Sequence, residues 1–110
     1  MDKLLVYGGY GGDGRLYADI EAFHIGTLTW APLPTKGALP APRFDHSASL
    51  AGSKLVMAGG RNCEASIIDI NVLDIETLTW EILKFGGTPP TPMFCHVTCA
   101  IPSAISYKLN

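Results

Sequence analysis

The chain has 110 residues, of which 47% are apolar and 16% are charged, and its formal net charge at pH 7 is -2. A chain of this length has room for one small domain, and its apolar content is too high for a sequence that stays disordered for want of a core. Because it contains no run of basic residues, the electrostatic footprint of nucleic-acid or membrane-surface binding is missing. Neither partner is expected.

The start of the chain carries no recognisable export or membrane signal. Its apolar run, residues 4–7, stops at a glycine pair and is shorter than the roughly 7–15 apolar residues of a signal peptide. Cys63, Cys95 and Cys99 are an odd number of cysteines, so reduced thiols are expected rather than a disulfide framework. These features predict a cytoplasmic protein.

A short apolar strand followed by two glycines occurs twice. Residues 3–7 are followed by Gly8 and Gly9, and residues 54–58 are followed by Gly59 and Gly60. The spacing is 51 residues here, because the first copy carries one extra residue in the loop after its glycines. The sequence therefore contains an internal repeat, and such a period is typical of repeat architectures.

Two further segments recur at a spacing of 50 residues. Gly-Thr-Leu-Thr-Trp, which ends at Trp30, returns as Glu-Thr-Leu-Thr-Trp, which ends at Trp80. Pro-Ala-Pro-Arg-Phe-Asp-His, which ends at His46, returns as Pro-Thr-Pro-Met-Phe-Cys-His, which ends at His96. The segments share one register, so they are parts of the same repeated unit.

Turn residues divide the complete copy into four predicted strands. These cover residues 45–51, 54–58, 67–75 and 78–83, with tight turns at residues 52–53 and 76–77. The third strand alternates with a period near two, which places its residues on two faces. One face holds Ile68, Ile70 and Val72, and the other, expected to point outward, holds Asp69, Asn71 and Leu73.

A single four-stranded meander of this kind would leave apolar faces uncovered, whereas radial stacking of several such sheets buries both faces. Together with the Gly-Gly pairs, the Trp about twenty residues later and the Pro-Arg-x-x-His-Ser run that begins at Pro42, this pattern resembles the kelch repeat. The resemblance implies an all-β fold, a partial β-propeller of four-stranded antiparallel blades. One blade would be complete and one split between the termini.

On this interpretation residues 1–102 hold the kelch repeats. A partial blade is predicted at residues 3–33, a complete blade at 45–83 and the first strand of a next blade at 95–101, with residues 103–110 as a degraded or truncated tail. The signature residues then have structural roles. The glycine pairs permit unusual backbone conformations, and Trp30 and Trp80 cover the gap between sheets. The repeated histidines, His46 and His96, form hydrogen bonds within each blade.

Two motifs with possible chemistry are better explained by the repeat. Gly9-x-Gly11-x-x-Gly14 has the dinucleotide-binding spacing, but that motif needs a following helix and a strand is predicted here. On a strand, Cys95 and Cys99 would share a face that His96 does not. No metal, cofactor or catalytic residue is therefore predicted. The alternative is part of a kelch-type enzyme, an oxidase, isomerase or metal-dependent specifier, whose catalytic residues lie in other blades.

The long connections follow the second and fourth strands of each unit, and they emerge at the same end of an antiparallel meander. This end is predicted to bind a partner protein or peptide, because loops on a rigid scaffold commonly carry recognition. Two loops offer an aromatic, charges and hydrogen-bonding groups suited to a peptide or an acidic motif. Their candidate contact residues are Tyr10, Asp13, Arg15, Arg61, Asn62 and Glu64.

Arg43 has two interpretations, a contact residue at the same end or an internal hydrogen-bonding element of the repeat.

The number of blades in the whole propeller is open, because closed propellers usually have about 4–8 blades and the repeats of this chain supply about two. The chain is expected to be either a fragment of a longer adaptor or scaffold protein, or a subunit that associates head to tail and closes a ring by rotation.

Overall fold

The computed structural model describes residues 2–91, 96, 98, 99 and 101, and all regular structure within them is β. No helix long and apolar enough to cross a membrane occurs in that part of the chain. The predicted all-β class is confirmed. The strands are β1 (Lys3–Tyr10), β2 (Leu16–His24), β3 (Thr29–Pro32), β4 (Lys36–Gly37), β5 (Ser47–Ala51), β6 (Lys54–Ala58), β7 (Ile70–Asp74) and β8 (Thr79–Leu83).

The strands form two sheets. The first sheet has the order β1-β2-β3, and the second has the order β4-β8-β7-β6-β5. Neighbouring strands are antiparallel except β4 and β8, which are parallel. The last turn is built alike in both sheets: Leu28 and Leu78, fifty residues apart, each adopt φ of 56°. The repeat in the sequence is thus a repeat in the backbone.

Three predicted strands of the complete copy are too long. The first begins at Ser47 instead of residue 45, the third covers Ile70–Asp74 instead of residues 67–75, and the fourth begins at Thr79 instead of residue 78. The cause is local. Asp45 has a positive φ that a strand cannot contain, and the segment before Ile70 forms a loop with isolated bridges instead of a ladder.

The core lies between the two sheets. Tyr7 and Ile20 from the first sheet pack against a row of the second sheet, and the buried cluster consists of Tyr7, Ile20, Met57, Leu73 and Trp80. The ring of Tyr7 meets that of Trp80 edge to face, with the centroids 5.6 Å apart. Aromatic pairs in this geometry stabilise a core beyond the area that they bury. The first sheet is thus the cover of one face of the second.

The prediction that Asn71 and Leu73 point outward is wrong. They do lie on the opposite face from Val72, but both are fully buried, because the first sheet covers that face. Val72, on the other face, is only 5% exposed. Alternation in β7 therefore separates a face covered by the first sheet from a face on which Val56 and Ile70, beside Val72, stay half-buried.

The two tryptophans do not share one role. Trp80 is 2% exposed, and its indole N–H donates to the Thr35 hydroxyl at 3.1 Å. Trp30, also expected to cover the gap between sheets, is 57% exposed and meets only the Phe23 ring, at 4.9 Å, among the ring contacts of the described residues. No sheet lies over it in the part of the chain described here, so the predicted packing of Trp30 between two sheets is not made within the described residues.

The segment that connects the two sheets contains a strand that the sequence does not predict. We call this segment, residues 34–40, the first strap. Its central residues form β4, which runs along the outer edge of β8, with N–H groups of Lys36 and Ala38 donating to carbonyls of Leu78 and Trp80, both at 3.0 Å. The second sheet therefore has a fifth, parallel strand in addition to its four antiparallel ones.

The predicted first strand of a next blade, residues 95–101, and the predicted tail, residues 103–110, lie wholly or largely outside the described residues.

Candidate partner-binding face

Residues 43–46, which connect the first strap to β5, are held by the two glycine pairs. The Gly9 N–H donates to the Arg43 carbonyl at 3.1 Å, and a Cβ on Gly8 would lie 2.9 Å from the same oxygen. A Cβ on Gly60 would lie 2.9 Å from that of His46. All four glycines of the pairs have positive φ. Gly8 of the first sheet and Gly60 of the second sheet's loop leave space for this segment, which therefore lies across both sheets.

Arg43 holds this segment in place through side-chain hydrogen bonds within the chain. The interpretation of it as a contact residue is wrong. Its side chain is fully buried, and its guanidinium donates to carbonyls of Ala41 and Gly59, both at 3.1 Å. It also forms a bidentate ion pair with Asp69, in which one nitrogen lies 3.0 Å from Oδ2 and another donates to Oδ1. A fully buried side chain cannot meet a partner.

The groups with shifted pKa values lie around Arg43. Burial would raise the pKa of the Asp69 carboxyl, but the hydrogen bonds and charge of Arg43 outweigh it and leave that pKa below its usual value. Burial, with the Arg43 charge, lowers the pKa of His46. Burial raises the pKa of Tyr7, whose hydroxyl donates to the Pro40 carbonyl at 3.2 Å. These shifts arise in structural contacts.

The two histidines of the repeat differ in their contacts. A ring nitrogen of His96, Nε2, lies 3.0 Å from the Ala58 carbonyl, as expected of a hydrogen-bonded element. His46 instead meets the ring of Tyr7 edge to face at 5.5 Å, and its buried Nδ1 has no hydrogen-bond partner among the described residues.

The exposed end of the same segment carries a stack of three side chains, Tyr10, Phe44 and Arg61. The Tyr10 ring lies 5.3 Å from the Phe44 ring, and the Arg61 guanidinium carbon lies 4.8 Å from the Phe44 centroid. Tyr10 is 55% exposed. Phe44 thus brings together a residue of the first glycine loop and a residue of the second.

The stack has a fixed backbone. Phe44 and Arg61 exchange two main-chain hydrogen bonds of 2.9 Å, and the Arg61 Nε donates to Asp45 Oδ2 at 2.9 Å. Asp45 adopts φ of 58°, a conformation uncommon for a residue with a side chain but tolerated best by Asp and Asn. Such backbone tends to be retained where the surrounding structure requires it.

The other predicted contact residues mainly shape their own loops. Asp13 Oδ1 accepts from the Arg15 N–H at 3.1 Å, and the Arg15 guanidinium lies 5.5 Å from the Tyr17 ring. Asn62 Oδ1 accepts from the N–H groups of Glu64 and Ala65 at 2.8 and 2.9 Å. Arg15 and Glu64 are exposed and flank the stack along the chain, whereas the Asp13 and Asn62 oxygens are already engaged in turns.

Phe44 is the residue that the sequence analysis missed. It lies within the Pro-Arg-x-x-His-Ser run, which was assigned a structural role as a whole. Its recurrence as Phe94 at the same point between Arg or Met and His was the available signal. Position 94, like Cys95 of the candidate zinc motif, lies outside the described residues.

Within the described ranges, no group of three or more His, Cys, Asp or Glu residues is arranged to hold a metal ion. What the loop end offers is two aromatic faces, a guanidinium and peptide groups in a fixed arrangement. Such a set can pack against a side chain and hydrogen-bond a main chain, which is the chemistry of peptide recognition.

Comparison with known proteins agrees with this architecture. The family model "KLHDC2/KLHL20/DRC7 Kelch-repeats domain" matches residues 1–108. Host cell factor 1 of Homo sapiens is 40% identical over 58 residues, and the match covers 53% of this chain and 3% of that protein. The flagellar outer-arm dynein alpha chain of Chlamydomonas reinhardtii is 35% identical, with 54% of this chain and 2% of that protein covered.

An acyl-CoA-binding domain-containing protein 4 of Arabidopsis thaliana is 33% identical, with 62% of this chain and 10% of that protein covered. The chain therefore spans a tenth or less of the length of these relatives. They share with it a repeat unit and not a whole protein. Since the family model matches nearly all of the sequence, and the two sheets have the repeated turns and glycine pairs expected of it, the chain belongs to the kelch-repeat family.

Proposed function

We propose that the loop end of these kelch sheets binds a peptide segment of a partner protein, with Tyr10, Phe44 and Arg61 as its central contacts. Kelch repeats are generally protein-interaction modules, and in adaptor proteins they are typically not enzymes. The chain would then work as part of an adaptor or scaffold protein.

The observation that carries the proposal is the stack itself. An aromatic residue that is more than half exposed is held against a second ring, and a guanidinium covers that ring from another loop. Tyrosine and arginine are enriched among residues that dominate binding energies, because each offers large contact area together with hydrogen-bonding groups. Since Phe44 is fixed by its main-chain bonds to Arg61, a ligand would meet a surface that is already ordered.

The ligand chemistry follows from the same side chains. The exposed Tyr10 ring, beside the half-buried Phe44, favours an apolar or aromatic side chain, and the exposed charges of Arg15 and Glu64 favour polar groups next to it. A peptide with one apolar anchor among polar residues fits this surface.

The test uses a displayed library of random peptides selected against the 110-residue chain. Selected peptides are then measured by fluorescence anisotropy with the wild type and with Tyr10→Ala. We expect Tyr10→Ala to weaken binding by a factor of about ten or more, the effect of losing a central aromatic contact. Leu50→Ala is the matched control, because Leu50 is 62% exposed and precedes the β5–β6 turn instead of a loop of this face.

Arg61→Ala tests the third member of the stack and should also weaken binding. Peptides that bind wild type and Tyr10→Ala equally, or that lose affinity with Leu50→Ala instead, would place the binding surface elsewhere.

A further inference from the structure

The first strap shows how an extended segment adds to the outer edge of a kelch sheet. Its N–H groups reach the carbonyls of Leu78 and Trp80, and between them Gly37 has φ of 91°. A Cβ on Gly37 would lie 2.5 Å from the Trp80 carbonyl oxygen. Only glycine permits this approach, so the strap requires an x-Gly-x sequence at its centre.

The same sequence pattern returns fifty residues later without a strand beside it. We call residues 84–90 the second strap. Gly87 corresponds to Gly37 and adopts φ of 75°, yet a Cβ on Gly87 would meet nothing within 4 Å. Gly87 thus has a positive φ, like Gly37, without the close contact that requires glycine at position 37.

The matching edge also exists and is open. Leu28 and Trp30 of the first sheet correspond to Leu78 and Trp80, and the turn before β3 has the same φ as the turn before β8. Among the described residues, no strand lies on the outer edge of β3. The β3 carbonyl groups that point away from β2 can therefore accept hydrogen bonds from another extended segment.

The side chains of the second strap and of the open edge of β3 are complementary. In the first strap Thr35 bonds the Trp80 indole, and at the equivalent position the second strap carries Phe85, which is 48% exposed. Its counterpart would be Trp30, which is 57% exposed. Pairing the second strap with β3 would bring these two exposed aromatic side chains together, a contact that stabilises an interface.

The sheet faces behind these edges repeat the pattern of the buried interface. The first sheet has one face that no sheet covers, and it carries Leu4, Val6, Phe23 and Trp30. In the second sheet the equivalent residues lie on the face that the first sheet buries; they are Leu55, Met57, Leu73 and Trp80. The far face of the second sheet carries Val56, Ile70 and Val72, which correspond to Leu5, Ile20 and Ala22 of the covering face. One chain therefore has both halves of the interface.

We propose that the second strap of one copy of this chain pairs in parallel with β3 of a second copy, so that Gly86 and Thr88 donate to the carbonyls of Leu28 and Trp30. The far face of the second sheet then covers Leu4, Val6, Phe23 and Trp30 of the next copy. Such an interface is head to tail, so further copies add in the same way until the rotation closes a ring.

The test is the mass of the 110-residue chain by light scattering over a wide concentration series, with a reductant present because Cys63 and Cys99 are exposed. The mass should rise above the 11.8 kDa of one chain as concentration increases. Gly87→Asn should weaken association by a factor of about ten or more, because its side chain would clash with the Trp30 carbonyl and interrupt the strand pairing.

Gly52→Asn is the matched control. Gly52 has φ of 62°, and a Cβ there would meet nothing within 4 Å, as at Gly87, but it lies in the β5–β6 turn. Asparagine tolerates this backbone, so both variants should keep the β-sheet circular dichroism of the wild type. Gly52→Asn should associate like the wild type.

Hydrogen exchange supplies an independent readout, since the Thr88 amide should become protected as the mass rises. A mass of 11.8 kDa at every concentration, or equal association by Gly87→Asn and the wild type, overturns the proposal. So does protection of Thr88 with no rise in mass, which would mean that the strap pairs within its own chain.

Discussion

Trp80 and Trp30 end the same five-residue segment in two successive sheets, yet one is buried and the other is more than half exposed. The strands, the turn and the φ of the preceding leucine are alike. The difference lies in what covers them, because the first sheet and the first strap lie over Trp80. In this repeat the sequence of each strand determines its place in the sheet, and the neighbouring sheet determines whether its tryptophan is buried.

The largest expected effect tests that comparison directly. Trp80→Ala removes a buried indole that contacts Tyr7 and bonds Thr35, and should lower the free energy of unfolding by about 3–5 kcal/mol or abolish cooperative unfolding. Trp30→Ala should cost less than about 1 kcal/mol in dilute solution, because most of its surface is already in water. Urea denaturation of both variants measures the contrast, and equal losses would contradict it.

A second comparison concerns two arginines of the loop end. Arg43→Met removes a fully buried guanidinium and leaves Asp69, whose side chain is 27% exposed, without its partner. We expect a loss of about 2–4 kcal/mol, somewhat below that of a wholly buried pair. Arg61→Met breaks an ion pair whose side chains are 40% and 29% exposed, and should cost less than about 1 kcal/mol.

The Arg43 variant can be tested further by adding Asp69→Asn, which removes the carboxylate that the first change leaves behind. The double variant should be more stable than the sum of the single losses predicts, because the two residues act through one ion pair. Additive losses in urea denaturation would show that Arg43 stabilises the segment only through Ala41 and Gly59.

The smallest expected effect is a pH dependence. Burial holds the pKa of His46 below its usual 6.5 in the folded chain, so the unfolded chain binds this proton more readily. Stability from the neutral ring is present above pH 6.5 and is lost as pH falls through the lowered pKa. His46→Gln should remove that part of the decline in unfolding free energy as the pH falls below 6.5. An unchanged decline would assign it to other groups.

Much of the fold could be predicted from the sequence, because each copy of the repeat contains residues that mark the ends of its strands. Glycine pairs and the Thr-Leu-Thr-Trp turn mark where strands end, and these are local properties. The burial of Asn71 was not predictable in the same way, since its alternation is normal and only the neighbouring sheet makes its face internal. Its amide lies near enough to Asp69 to affect that carboxyl's pKa, yet it makes no hydrogen bond of normal geometry with the described residues.

The first strap was missed for another reason. Two paired residues give no alternation, and a segment with three prolines within residues 34–42 predicts a loop. Its pairing depends on Gly37 fitting beneath the Trp80 carbonyl, a contact between residues more than forty positions apart. Phe44 was missed because its place in the stack depends on Arg61 and Tyr10, which only the folded loops bring to it.

Residues 43–46 rest on glycine pairs from both sheets, so the Tyr10, Phe44 and Arg61 surface is a product of two adjoining repeats. An attempt to transplant this proposed binding surface to another propeller would have to move both glycine loops together with the connection between them. A single blade exchanged at its strand boundaries would separate Tyr10 from Phe44. For engineering, and for gene rearrangements that shuffle repeats, the unit that carries this surface is the junction between two repeats and not a single blade.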